Sequence, residues 1–206
     1  MLDSRRPNLR ETFNAMSGAM PMGIRFVFDS SDAHQQLEVI AAQVLTYRTS
    51  DSELRAKSDS TAWSLAQCVC HLNKTSDAFL SLWHAVADAE SGAIAGAPKP
   101  YSAMQRWMLW VMEPPYRMPM KTSSNFQPAE PASGLAELDH FAELQFEARD
   151  VVRRIAERNR TMVPVQSPFA SWLNYPAGFS VDLFTSHQRR HLWQMRNISE
   201  ALDRRG

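Results

Sequence analysis

The chain has 206 residues, of which 44% are hydrophobic and 21% charged, the composition of one globular domain with a full core. Basic and acidic residues balance at 22 each, so no cationic excess exists to neutralise a phosphate backbone, and nucleic-acid binding is not expected. No apolar run approaches the roughly 18 residues of a membrane-spanning helix, so no membrane partner is expected either.

Residues 1–30 read as an extended or weakly ordered N-terminal arm, and residues 31–206 as the folded domain. Paired arginines between Ser4 and Arg10 resemble a twin-arginine export signal, but Glu11, Asn14 and Arg25 interrupt the apolar region such a signal needs. Ser30, Ser31 and Asp32 offer N-cap chemistry for a first helix over 32–48, with Leu37, Ile40, Val44 and Tyr47 as its apolar stripe. The polar stretch from Asp51 to Ser60 reads as a loop with one helical turn. A second helix runs from Ser64 to Ser91, and Leu65, Val69, Leu72, Phe79, Trp83 and Val86 recur on it at helical spacing. Cys68, His71, Thr75, Ala78 and Leu82 widen that stripe, which suits an inner helix touching two neighbours.

Gly92 to Pro100 breaks the second helix, and Tyr101 to Met112 forms a short one closed by Pro114 and Pro115. Glu113 to Ser133 is a long proline-rich crossover of the kind that drapes across a core or serves function. A third long helix follows Ser133 to about Arg160, then an irregular piece from Thr161 to Pro176, then a last helix over 178–204. Sustained period-2 alternation is absent, so the fold class is all-α.

Three histidines carry the functional signal. His187 and His191 lie one turn apart on the apolar stripe of the last helix, and His71 lies in the buried part of the second. Imidazoles directed into an apolar core are costly unless something pairs with them, and one divalent metal ion would satisfy all three. The bland alternative is that each is a core histidine with a local hydrogen bond. Gln67, one turn before His71, and Gln194, three residues after His191, are candidate hydrogen-bond partners for the imidazoles, and Cys68 a candidate fourth, softer ligand. His34, His84 and His140 fall outside the pattern. The six tryptophans and the methionines from Met104 to Met120 read mainly as packing residues, with Trp107 and Trp110 also candidates for a pocket mouth; Arg189 and Arg190 read as a solvated helix edge. Cys68 and Cys70, two apart on one helix, point to different sides and cannot form a comfortable disulfide, which fits a reducing, cytoplasmic setting.

With Trp63-Ser64-x-x-Gln67-x-x-x-His71 on one helix and His187-x-x-Arg190-His191-x-x-Gln194 on the last, the chain resembles the DinB/YfiT-like superfamily over about residues 32–204. The resemblance implies a DinB-like four-helix bundle with long crossover connections. It also implies a divalent zinc, nickel, manganese or iron ion at His71, His187 and His191. Characterised relatives include thiol-dependent transferases and isomerases, which makes a low-molecular-weight thiol and a small electrophile the expected substrates. Metal-dependent hydrolysis and a non-catalytic metal-binding or stress-response role are the alternatives. A homodimer is compatible with the apolar helix surface.

Overall fold

The computed structural model describes residues 27–89, 97–118 and 120–205. Among the described residues the helices order as α1 (Ser30–Leu45), α2 (Asp51–Arg55), α3 (Leu65–Asp88), α4 (Ala103–Met112), α5 (Gly134–Glu157) and α6 (Ala177–Asp203). A 3-10 turn, Ser124–Phe126, interrupts the crossover between α4 and α5. Helix starts are fixed by side-chain caps. Ser64 and Gln67 close a reciprocal capping box on α3, Ser102 and Gln105 do the same on α4, and Ser133 caps α5. The cap of α1 is Asp29, whose carboxylate accepts from the Ser31 and Asp32 amides, so the three residues expected to cap it lie inside the helix. Within the stretch read as an arm over 1–30, Phe28 is buried in the core. Residues 1–26, with the arginine pair, lie outside the described residues.

The four long helices α1, α3, α5 and α6 form the bundle. Helix α3 packs between α5 and α6, and α1 packs against the same two from the other side. Consecutive long helices α1 and α3 thus sit diagonally, as do α5 and α6, which is why the chain needs long crossovers rather than tight hairpins. Each helix carries its apolar residues at three- and four-residue spacing, as on α1 with Ala33, Leu37, Ile40 and Val44, all buried.

Two apolar clusters fill the interior. One centres on Phe79, Trp83 and Phe184, whose rings meet edge to face or tilted, with Phe179 edge to face on Tyr101 and Tyr175, and the other on Ile40, Leu72, Phe141 and Met195. On α6 the division between them falls between Phe184 and Leu192, the stretch that holds both of its histidines. Asn159, with a φ of 53°, turns the chain out of α5, and the guanidinium groups of Arg158 and Arg160 then cap the carbonyls at the end of α3.

The segment read as irregular from Thr161 to Pro176 contains a two-stranded antiparallel hairpin, Pro164–Gln166 against Asn174–Pro176. Val165 and Tyr175 face each other across it and are buried in the first cluster. Strands of three residues, each with a proline at one end, show too little alternation to register as period two. The tryptophans also depart from the expectation of core anchors: Trp83 is fully buried, whereas Trp107, Trp110 and Trp172 are exposed, as are Met104, Met118 and Met120. No helix among the described residues is long and apolar enough to cross a membrane.

The start of α5 is clamped against α2. The Asp51 carboxylate accepts from the Gly134 amide at 2.6 Å and from the Ser133 hydroxyl at 3.0 Å. A Cβ at Gly134 would stand 2.7 Å from Leu54 Cβ and 3.1 Å from Ala66 Cβ, atoms bonded directly to the backbone that no rotamer change can move away. Gly134→Ala should therefore lower the unfolding free energy by about 1–3 kcal/mol despite its better helix propensity, as read from urea denaturation midpoints.

Candidate metal centre

Because α3 and α6 are neighbours, the turn of α3 that carries His71 faces the two turns of α6 that carry His187 and His191. The Nε2 atom of His187 lies 3.3 Å from that of His71 and 3.1 Å from that of His191. Two nitrogens each about 2.1 Å from one ion at the tetrahedral angle would be about 3.4 Å apart, so the spacing suits a shared cation as well as a ring-to-ring hydrogen bond. These three histidines form the only cluster of three or more His, Cys, Asp or Glu side chains of this kind among the described residues, and all three are buried.

Hydrogen bonds on the far sides of two rings decide what the near sides offer. His71 Nδ1 donates to the backbone carbonyl of Phe126 at 2.7 Å, and His191 Nδ1 donates to Gln194 Oε1 at 2.9 Å. A carbonyl oxygen can only accept, so each ring carries its proton on Nδ1 and turns a bare Nε2 lone pair to the centre. His187 can supply one Nε2 proton, which serves one of those lone pairs and leaves the other facing nitrogen without a donor. A cation satisfies all three together. The donor set therefore fits a divalent metal ion of the nitrogen-preferring kind. His187 Nδ1 is buried and has no hydrogen-bond partner among the described residues.

Burial keeps the rings neutral. Desolvation pushes the His187 imidazole down to about 3, helped by His71 and Arg190, and holds His191 well below its ordinary value. His71 is lowered chiefly by desolvation as well, while its bond to Phe126 opposes the shift.

Aromatic rings wall the cluster. Trp63 lies 5.3 Å from the His71 ring and stacks at 6.2 Å, within 10° of parallel, on His191. Phe169 lies 6.0 Å from His187 and 4.8 Å from Phe126. Phe126 belongs to the 3-10 turn of the proline-rich crossover, and Phe169 to the loop of the β-hairpin, so both crossovers reach the same spot. Sequence periodicity gave no access to these two, because neither lies on a regular helix.

Several expectations need correction. Gln67 is occupied by the capping box, its Oε1 accepting from the Ser64 amide, while the His71 ring nitrogens face the Phe126 carbonyl and His187 instead. Cys68 is packed in the second apolar cluster with its thiol pushed up by desolvation, and it is not part of the histidine cluster. Arg189 and Arg190 are not a solvated edge. Arg189 is held by Glu113 and Gln36, and Arg190 is buried, donating to the carbonyls of Val111 and Met118 with its guanidinium 3.8 Å above the Tyr116 ring. Trp107 and Trp110 project into solvent from α4, and the latter stacks under Arg117. Of the remaining histidines, His84 pairs with Glu147 and Arg154, and neither His34 nor His140 joins the cluster.

A model of the DinB superfamily matches residues 36–195, which spans all three histidines. The chain belongs to the DinB superfamily. Among solved structures it is similar to YfiT from Bacillus subtilis, described as a probable metal-dependent hydrolase with an unusual four-helix bundle topology. That match has a TM-score of 0.56 and 16% identity, covering 84% of this chain and 87% of the other. At that identity the likeness is one of fold. No curated protein matches the chain.

The buried rings make stability depend on pH. A histidine held near pKa 3 in the fold and titrating near 6.5 when unfolded gives the unfolded chain more bound protons between those values, so stability falls as pH falls below about 6.5. In metal-free protein, acidification from pH 7 to pH 5 should cost about 2 kcal/mol from His187 alone. Urea denaturation at the two pH values should show this loss, and it should shrink in His187→Asn.

Proposed function

We propose that this chain is a metal-dependent enzyme whose divalent ion is held by His71, His187 and His191. The observation that carries the reading is the pair of Nδ1 hydrogen bonds, to the Phe126 carbonyl and to Gln194, which commit two buried Nε2 lone pairs to one point. When bound, the ion would supply Lewis acidity at a position the chain leaves open for a further ligand, lowering the pKa of a nucleophile placed beside it. The chain's own residues hold and orient: the carbonyl of Phe126 and the amide of Gln194 fix two rings, and Trp63, Phe126 and Phe169 exclude bulk water from one side of the cluster.

Transfer of a low-molecular-weight thiol to a small electrophile is the reading favoured. No carboxylate joins the three histidines as a ligand among the described residues, so the ligand set itself brings no proton acceptor. A thiol, whose pKa lies far below that of water, can give a nucleophilic anion without one. Hydrolysis is the second reading, supported by the description of YfiT as a probable metal-dependent hydrolase. Turnover of a model electrophile only when a thiol is supplied favours transfer, and turnover of an ester or amide without thiol favours hydrolysis.

Protein purified without a histidine tag should contain close to one equivalent of a divalent transition metal by elemental analysis, and His71→Ala and His187→Ala should contain essentially none. Chelator should lower the thermal midpoint of the wild type and leave those variants unchanged. At a free metal concentration of 100 Kd, binding to the folded state contributes about 2.7 kcal/mol. Wild-type protein that holds no metal and is indifferent to chelator would contradict the proposal.

A further inference from the structure

The chain supplies only neutral nitrogen donors to the cluster, and no Asp, Glu or Cys side chain joins them among the described residues. A divalent ion held there keeps its full charge. The charged side chains that act on the three imidazoles add to it rather than offset it. Arg190, next to His191 in sequence, is buried with its hydrogen bonds spent on the Val111 and Met118 carbonyls. Lys74, one turn after His71, donates to the Gln127 carbonyl. Arg190 acts on His187 and His191, and Lys74 on His71. Excess positive charge in a largely desolvated place is relieved by an anion. Around that place the contacts are aromatic: Trp63 faces two of the three imidazoles, Phe169 faces the third, and Phe126 joins Phe169. These three rings are only partly buried, Phe169 being 39% exposed, so they offer surface both to the cluster and to an incoming molecule.

We infer that the cluster recognises a small anion carrying an aromatic body, the charged group seated at the ion and the ring against Trp63, Phe126 and Phe169. The inference rests on the metal reading above and adds the ligand class. Charge selects the head group and the aromatic wall selects the tail, so neither a neutral aromatic nor a bare small anion meets both demands.

The test uses the full chain loaded with cobalt(II), whose visible bands report its ligands without any need for turnover, titrated with benzoate, acetate and benzamide. Benzoate should perturb the bands at about tenfold lower concentration than acetate, the size of effect one good aromatic contact gives. Benzamide, of the same shape but neutral, should leave them unchanged at concentrations where benzoate saturates. Phe169→Ala and Trp63→Ala should each cut the benzoate-to-acetate preference to about twofold. Trp63 also packs on the second core cluster, so Phe169→Ala, at a more exposed position, carries the test if circular dichroism shows Trp63→Ala to be unfolded. Equal affinity for benzoate and acetate, a benzamide response matching that of benzoate, or a preference that survives Phe169→Ala would each overturn the inference while leaving the metal reading intact. Failure of the protein to give any cobalt spectrum would overturn the metal reading and this inference with it.

Discussion

Two hydrogen bonds made away from the centre govern the chemistry available at it. The Phe126 carbonyl and the Gln194 side chain take the Nδ1 protons of His71 and His191, and that leaves both rings with lone pairs facing His187. Without those bonds each imidazole could shift its proton to satisfy a neighbour, and three core histidines would form an ordinary network. With them, the set is short of donors by construction, and the surrounding fold keeps it from relaxing. Burial closes the remaining escape, since an imidazolium here would be a desolvated charge beside Arg190.

The bundle exists in the form that this arrangement requires. Helices α3 and α6 are adjacent although more than eighty residues separate the end of one from the start of the other, and the long connections between them are not idle. The crossover after α4 delivers the Phe126 carbonyl to His71, and the hairpin before α6 delivers Phe169 to His187. Glu113 at the end of α4 ties back to Ser186 and Arg189 on α6, one on each side of His187 in sequence. The stability of the histidine-bearing turn is thus shared among elements that periodicity alone would treat as linkers.

Much of this was legible in the sequence. The helices over 65–88, 134–157 and 177–203 follow from apolar spacing, and the His187/His191 pair from a one-turn interval on the apolar stripe. The same spacing rules misplaced Gln67, because a glutamine three residues after a serine is as good a capping partner as it is a hydrogen-bond acceptor for a ring one turn later. Arg190 shows the converse limit: an arginine between two buried histidines looks solvated until a carbonyl pair and a tyrosine from another element are brought over it. Phe126, Phe169 and the hairpin were not readable, since their positions depend on tertiary contacts of segments with no period of their own.

X-ray absorption at the edge of the bound metal tests the central claim most directly, because it counts and identifies ligands whatever the reaction proves to be. The account predicts a first shell of nitrogen and oxygen at about 2.0–2.1 Å that includes three imidazoles and no sulfur. A sulfur scatterer near 2.3 Å, which would bring Cys68 or Cys70 into the shell, or a shell with fewer than three imidazoles, would contradict it.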